Sequence, residues 1–220
     1  MSAGPGSPRR SVQWLVWGGL VLTIIGVAVA FLVSERPGRR GNGNDDLRVR
    51  TQGLPAFTLT NQSGHPVTPR DFSNYVSVVD IVFTRCAGPC PEMTRRMGEL
   101  QRDLPANLPV KLVTVTTDPE FDTPEVLKRY SERFNADRGR WWFLTGAKSD
   151  IARLAREGLL LVAQETKPEE RQNDADLFIH STVFVVLDKQ GRLRGVIEST
   201  EPDFNARVQR AVRRLARESK

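Results

Sequence analysis

Residues 76–91 read Val76-Ser77-Val78-Val79-Asp80-Ile81-Val82-Phe83-Thr84-Arg85-Cys86-Ala87-Gly88-Pro89-Cys90-Pro91, and this stretch decides the fold. Its first half is almost unbroken apolar sequence, the pattern of a strand buried on both faces. Met93, Met97 and Leu100 then recur at spacings of four and three, which predicts a helix over 91–104. Cys86 and Cys90 are the only cysteines among 220 residues, and they fall where the strand ends and the helix begins. N–H groups at a helix start lower thiol pKa values and favour thiolate. Two such sulfurs form a disulfide or hold a soft metal ion, and the pair alone leaves both open.

Working outward, Phe57-Thr58-Leu59-Thr60 alternates like a strand and Asn61-Gln62-Ser63-Gly64 reads as a turn, so an N-terminal hairpin is expected. Residues 110–117 form a second β-branched run. Thr123 then suits an N-cap, Pro124 the first helical position and Glu125 the positive helix end. Val126, Leu127, Tyr130 and Phe134 give that helix its apolar face. Short strands are expected at 141–144 and 159–163, with a helix at 149–157 between them. Residues 180–187 and 193–197 read as a hairpin around Asp188-Lys189-Gln190-Gly191. A last helix carries Phe204, Val208, Val212 and Leu215 on one face. Strands alternating with helices give an α/β sandwich with a mixed central sheet. A thiol pair between the first long strand and its helix makes this a thioredoxin-like arrangement.

The first third of the chain differs in kind. Residues 14–33 hold no charge and consist mostly of Leu, Val, Ile, Ala, Gly and Trp. Twenty helical residues at about 1.5 Å each match the roughly 30 Å hydrocarbon core of a bilayer. Trp14 and Trp17 stand near one end, where aromatic rings favour the interface. Ala28-Val29-Ala30 has the form of a signal-peptide cleavage site, but the apolar stretch exceeds the usual length of about 7–15 residues. The expected organisation is a short tail (1–11), a transmembrane anchor (12–33), a flexible linker (34–50) and one folded domain (51–220). Basic residues flank the span on both sides; a lone N-terminal anchor then places the large domain on the extracytoplasmic side of the cell (inner) membrane. The net charge is +6, and +4 beyond Val33, which gives no argument for nucleic acid.

For chemistry, a soft cation such as Cu(I) prefers thiolate and imidazole and accepts few ligands. The chain has two histidines. His65 lies in a Gly-His-Pro turn, whereas His180 opens the first strand of the terminal hairpin. In a thioredoxin-like sheet that strand neighbours the cysteine-bearing one, so two sulfurs and one nitrogen would complete a three-coordinate site. A closed zinc site needs four ligands, and a third cysteine does not exist.

Several separated motifs together resemble the Sco/SenC family, membrane-anchored thioredoxin-like copper chaperones for cytochrome c oxidase. Phe83-Thr84-Arg85-Cys86 through Cys90-Pro91 is similar to the family's C-x-x-x-C-P site. Asp118-Pro119-Glu120-Phe121-Asp122-Thr123-Pro124-Glu125 is similar to its D-P-x-x-D-T-P-E segment. His180-Ser181-Thr182 and Asp188-Lys189-Gln190-Gly191 resemble its H-S-T strand and D-x-x-G turn. The resemblance covers most of residues 51–200. It implies that Cys86, Cys90 and His180 are copper ligands, for Cu(I) or Cu(II). It also implies a client, the CuA centre of oxidase subunit II, to which copper is supplied or whose thiols are kept reduced. The chain departs from the common C-P-D-x-C form, since Ala87-Gly88-Pro89 carries no carboxylate between the cysteines.

The competing function is a thiol-disulfide oxidoreductase acting outside the cytoplasm, with Cys86 as nucleophile and Cys90 as resolver. The Gly88-Pro89-Cys90 ending resembles thioredoxin, but three residues separate the cysteines and no proline occurs from Glu169 to Glu201. Peroxidatic chemistry would rest only on Thr84 and Arg85. Met93 and Met97 at helical spacing are expected in the core, as is at least one of Trp141 and Trp142. The arginines at 207, 210, 213, 214 and 217 read as a solvated basic face, and Gln164 to Asp176 as a long charged loop.

Overall fold

The computed structural model describes residue 14 and residues 17–27, 47–161 and 182–218. It divides into two compact units, Met1–Asn44 and Asp45–Lys220. In the first, the described residues are helical and their large apolar side chains are exposed. No helix among the described residues is long and apolar enough to cross a membrane. The rest of the expected span, and most of the expected linker, lie outside the described residues.

Among the described residues, the second unit is built on one seven-stranded mixed sheet. Its strands are β1 (Leu59–Asn61), β2 (Pro66–Val67), β3 (Val76–Val82), β4 (Val110–Thr116), β5 (Trp141–Gly146), β6 (Val183–Leu187) and β7 (Leu193–Glu198). The spatial order is β2-β1-β5-β4-β3-β6-β7. β3, β4 and β5 run parallel, with Val78 opposite Leu112 and Val113 opposite Trp142. β1 and β6 pair antiparallel with β5 and β3. Parallel neighbours need crossovers, supplied by α1 (Cys90–Asp103) and α2 (Pro124–Arg133). Two further helices follow, α3 (Lys148–Arg153) and α4 (Phe204–Arg217).

Both sheet faces are covered, which is why β3 is a continuous apolar run. Val76, Val78 and Val82 face α1, α2 and α4, and pack with Met93, Met97, Leu100, Leu127 and Val208. Val79 and Ile81 face the other way, towards Phe72, Ile151 and Leu154. Met93, Met97 and Trp141 are core residues, as the helical spacing and the apolar context imply. α2 starts as the sequence indicates, with the Thr123 hydroxyl accepting the Val126 N–H at 3.4 Å. The terminal hairpin also forms around its expected turn, where Gly191 adopts φ 71° and the Asp188 carboxylate accepts the Gln190 and Arg192 N–H groups.

One expected element is corrected. Residues 159–161 are not a strand. α3 runs on into a π-helical turn, Leu154–Gly158, and the chain then reverses through Leu160 at φ 51°. Leu159 N–H bonds Leu154 C=O and Leu161 N–H bonds Ala155 C=O. These helix-terminal bonds use the backbone groups that a sheet ladder would need. At the front of the domain, Leu47 is buried in the core and Arg50 N–H bonds Leu193 C=O at 2.9 Å, so residues 47–50 pack onto β7.

Candidate functional site

The two cysteines lie where the fold leaves the carboxyl end of β3. The chain turns through Phe83–Pro89, with Cys86 N–H donating to Phe83 C=O at 3.2 Å, and Cys90 is the first residue of α1. Neither thiol is in a disulfide; Cys86 is partly exposed and Cys90 is buried. Gly88 N–H points at the Cys86 sulfur, 3.4 Å away. The loop is thus held by its own backbone with one sulfur turned towards an amide donor.

Cys90 does not behave as the sequence implies. Its thiol is pushed up to about 12, chiefly by burial, with the adjacent Cys86 side chain adding to the shift. The helix start favours thiolate, but removing the sulfur from water outweighs it. Behind it, the Thr94 hydroxyl donates to Cys90 C=O at 2.9 Å and meets the Tyr130 hydroxyl at 3.0 Å. Tyr130 is itself raised to about 12, again mainly by burial.

Asp80 is the unexpected member. It projects from β3 onto the face shared with α1, is 1 % exposed, and neither carboxyl oxygen has a hydrogen-bond partner. Its pKa is raised to about 7 by desolvation. Thr114, its neighbour across β4, softens that shift without forming a bond of ordinary geometry; the Thr114 hydroxyl accepts the Trp141 indole N–H at 3.0 Å. The Asp80 charge is felt at both Cys90 and Tyr130, raising both. A single acid inside an otherwise apolar strand was the signal in the sequence.

The segment after β4 braces the cysteine loop. Asp122 is fully buried and accepts the Thr84 N–H at 3.1 Å, the Thr84 hydroxyl and the Thr116 hydroxyl. Asp118 pairs with Arg85 at 2.5 Å, and the Arg85 guanidinium lies 4.3 Å from the centre of the Phe121 ring. The residues flanking Cys86 on its N-terminal side are therefore clamped from the neighbouring parallel strand. These acids appeared in the sequence only as part of a motif, because their donors come from two strand ends distant in the chain.

His180 lies outside the described residues, as does the loop 164–176. Among the described residues no group of three or more His, Cys, Asp or Glu side chains is arranged to hold a metal ion. β6, which follows His180, does pair with β3, with Val79 opposite Val185. Because the pairing is antiparallel, β6 begins at the end where β3 stops. His65 is an exposed turn residue whose N–H bonds the Asn61 side chain.

A mixed-sheet domain with a dithiol at a strand-to-helix junction defines a thioredoxin-like protein. The SCO1/SenC family model matches residues 46–217, and the chain belongs to that family. It is 32% identical over 139 residues to the SCO1 protein homolog of Bacillus subtilis, covering 62% of this chain and 69% of that one. A putative copper-binding protein of Stutzerimonas stutzeri is 27% identical over 184 residues, 82% of this chain and 86% of that one. Among solved structures, the fold is similar to BsSco, described as having a disulfide switch and as a member of the Sco family of cytochrome c oxidase assembly proteins. That match has a TM-score of 0.66 at 27% identity, covering 78% of this chain and 98% of that one.

Proposed function

We propose that the chain is a membrane-anchored copper chaperone. Its domain carries copper on Cys86, Cys90 and His180 and supplies it to the CuA site of cytochrome c oxidase subunit II. The observation that carries this reading is the free dithiol itself: two soft sulfurs four residues apart, in a braced loop beside a buried helix start. Soft donors at low coordination number suit Cu(I). Copper is cargo here, and because the Cys90 thiol is raised to about 12 it is protonated before uptake; forming the sulfur–copper bond displaces that proton to solvent. The start of β6 beside the end of β3 supports His180 as the nitrogen donor. The name of the Stutzerimonas relative and the oxidase-assembly role of BsSco support metal and client. The uncharged residues 14–33 support a single-pass anchor, and a lone N-terminal anchor before one large folded domain supports placing that domain on the extracytoplasmic side.

A second reading draws on the unequal exposure of the thiols. Cys86 is accessible and Cys90 buried, the arrangement of a nucleophile and a resolver. Cys86 thiolate attacks a client disulfide, the client thiolate leaves, and Cys90 displaces the second client thiolate as the Cys86–Cys90 disulfide forms. Another thiol donor must then reduce the chaperone. One experiment separates the two readings. The domain, copper-loaded or copper-free and reduced, is mixed with the copper-free CuA domain of an oxidase subunit II. Copper found in the client by mass spectrometry only after mixing with the loaded protein supports delivery, whereas stoichiometric loss of thiols from the copper-free protein, matched by client reduction, supports the oxidoreductase. Neither result would reject both.

A further inference from the structure

The charged residues of α4 sort into a pattern that the thiol site does not use. Arg210, Arg213, Arg214 and Arg217 are exposed, and their spacing of three, four and seven sets them in one stripe along the helix. The opposite face, Phe204, Val208, Ala211, Val212 and Leu215, is buried. Arg210 reaches Asp203 only at 3.6 Å, and among the described residues no carboxylate pairs with Arg213, Arg214 or Arg217. The four arginines line a shallow depression with Glu218, whose carboxylate is occupied by Arg194 at 2.8 Å.

The stripe has a definite place in the domain. α4 lies alongside α1: Arg96 sits 5.5 Å over the Phe204 ring, Asn205 meets Glu99 and Gln209 meets Asp103. The helices therefore run in the same direction, and residues beyond Gln209 extend past the end of α1. Cys90 is at the start of α1 and the arginines are beyond its finish, separated by roughly 20 Å or more of helix. The chain joins the domain at this same far pole. Arg194 Nε donates to Leu47 C=O at 2.6 Å while its guanidinium holds Glu218, just after α4. Lys189 closes the helix end by donating to Ala216 and Glu218 C=O.

We infer that the arginine stripe of α4 docks the domain on an anionic lipid surface, turning the thiol pole away from the bilayer. The inference rests in part on the anchored reading above: residues 34–46 separate the apolar segment from Leu47, and thirteen residues reach at most about 45 Å. Leu47, where the chain enters the domain, and the end of α4 are joined through Arg194, so the tether and the basic stripe leave the domain on the same side. The guanidinium groups of Arg213, Arg214 and Arg217, which pair with no carboxylate among the described residues, match phosphate oxygens in charge and in hydrogen-bond geometry. The stripe carries no large apolar side chain, which a protein interface centre would need. Each basic side chain near an anionic membrane strengthens attraction several-fold, and salt screens it.

The compact unit from Asp45 onward suffices for the test, since its core is its own and the solved structure it resembles matches over 98% of that chain. The domain is sedimented with phosphatidylcholine vesicles, with and without phosphatidylglycerol, at low and high salt. Binding is expected only to the anionic vesicles and should fall with salt. Changing Arg210, Arg213, Arg214 and Arg217 to Gln should weaken partitioning by roughly 1000-fold. Changing Lys128, Arg129, Arg133 and Arg138 to Gln removes the same charge from another face and should weaken it far less. A double variant, R213Q/R214Q, checked by circular dichroism, guards against misfolding of the fourfold one and should show an intermediate loss. Equal losses in the two fourfold variants, or no binding to anionic vesicles, would overturn docking, including the case in which the stripe instead serves an acidic protein. Carbonate extraction of membranes holding the full chain tests the anchor separately, so a retained chain that ignores vesicles rejects docking alone.

Discussion

Replacing Asp80 by Asn should change how stability depends on pH more than it changes stability itself. The carboxyl has an ordinary pKa of 3.8 and is raised to about 7 in the folded protein by desolvation. Between those values the folded state holds a proton that the unfolded state has lost, so the stabilisation present in acid is lost as pH rises through the window. At about 1.4 kcal/mol per unit, full ionisation costs the fold about 4 kcal/mol at pH 8. From pH 5 to pH 8 the change is about 2.5 kcal/mol, because part of the cost is already present at pH 5. Cys90 and Tyr130, the groups Asp80 influences, are both raised to about 12 and stay neutral throughout. Urea unfolding of the reduced domain, wild type and Asp80→Asn, at pH 5 and pH 8 reads the effect directly. Asn keeps the shape and cannot titrate, so the variant should gain about 2.5 kcal/mol on the wild type between the two pH values. An unchanged gap between the proteins at both pH values would refute the claim that a buried, unpartnered carboxyl titrates beneath the cysteines.

Other consequences follow from the same contacts. Asp122→Ala strands three donors around the cysteine loop and should cost about 2–4 kcal/mol in urea unfolding, with faster alkylation of Cys90. Met97→Ala opens a cavity in the main core and should cost about 2–5 kcal/mol while leaving thiol chemistry unchanged. In the wild type at pH 8, mass spectrometry should find iodoacetamide on Cys86 well before Cys90, which is buried and raised to about 12; equal rates would contradict its position.

The region that decides the fold was legible because its signals are local. The β3 run, the α1 spacing and the Thr123-Pro124-Glu125 cap each act within one element, and each forms where expected. The error at 159–161 has an equally plain cause. A short apolar run suits a strand or a helix end, and only the Leu160 backbone turn and the bonds back to Leu154 and Ala155 distinguish them. Asp122 could not be assigned a role because its three hydrogen bonds join the ends of two strands. The helix-start argument for low thiol pKa values failed at Cys90 because desolvation depends on what α1 packs against, which spacing does not show.

The central claim is a copper site of two sulfurs and one imidazole. Cu(I) is titrated into the reduced domain against a competing chelator, comparing wild type with His180→Ala. A Cys86–Cys90–His180 site should hold one copper tightly per chain, with affinity markedly weakened by loss of the imidazole. Weak binding indifferent to His180 would contradict it and leave a dithiol whose chemistry is reduction.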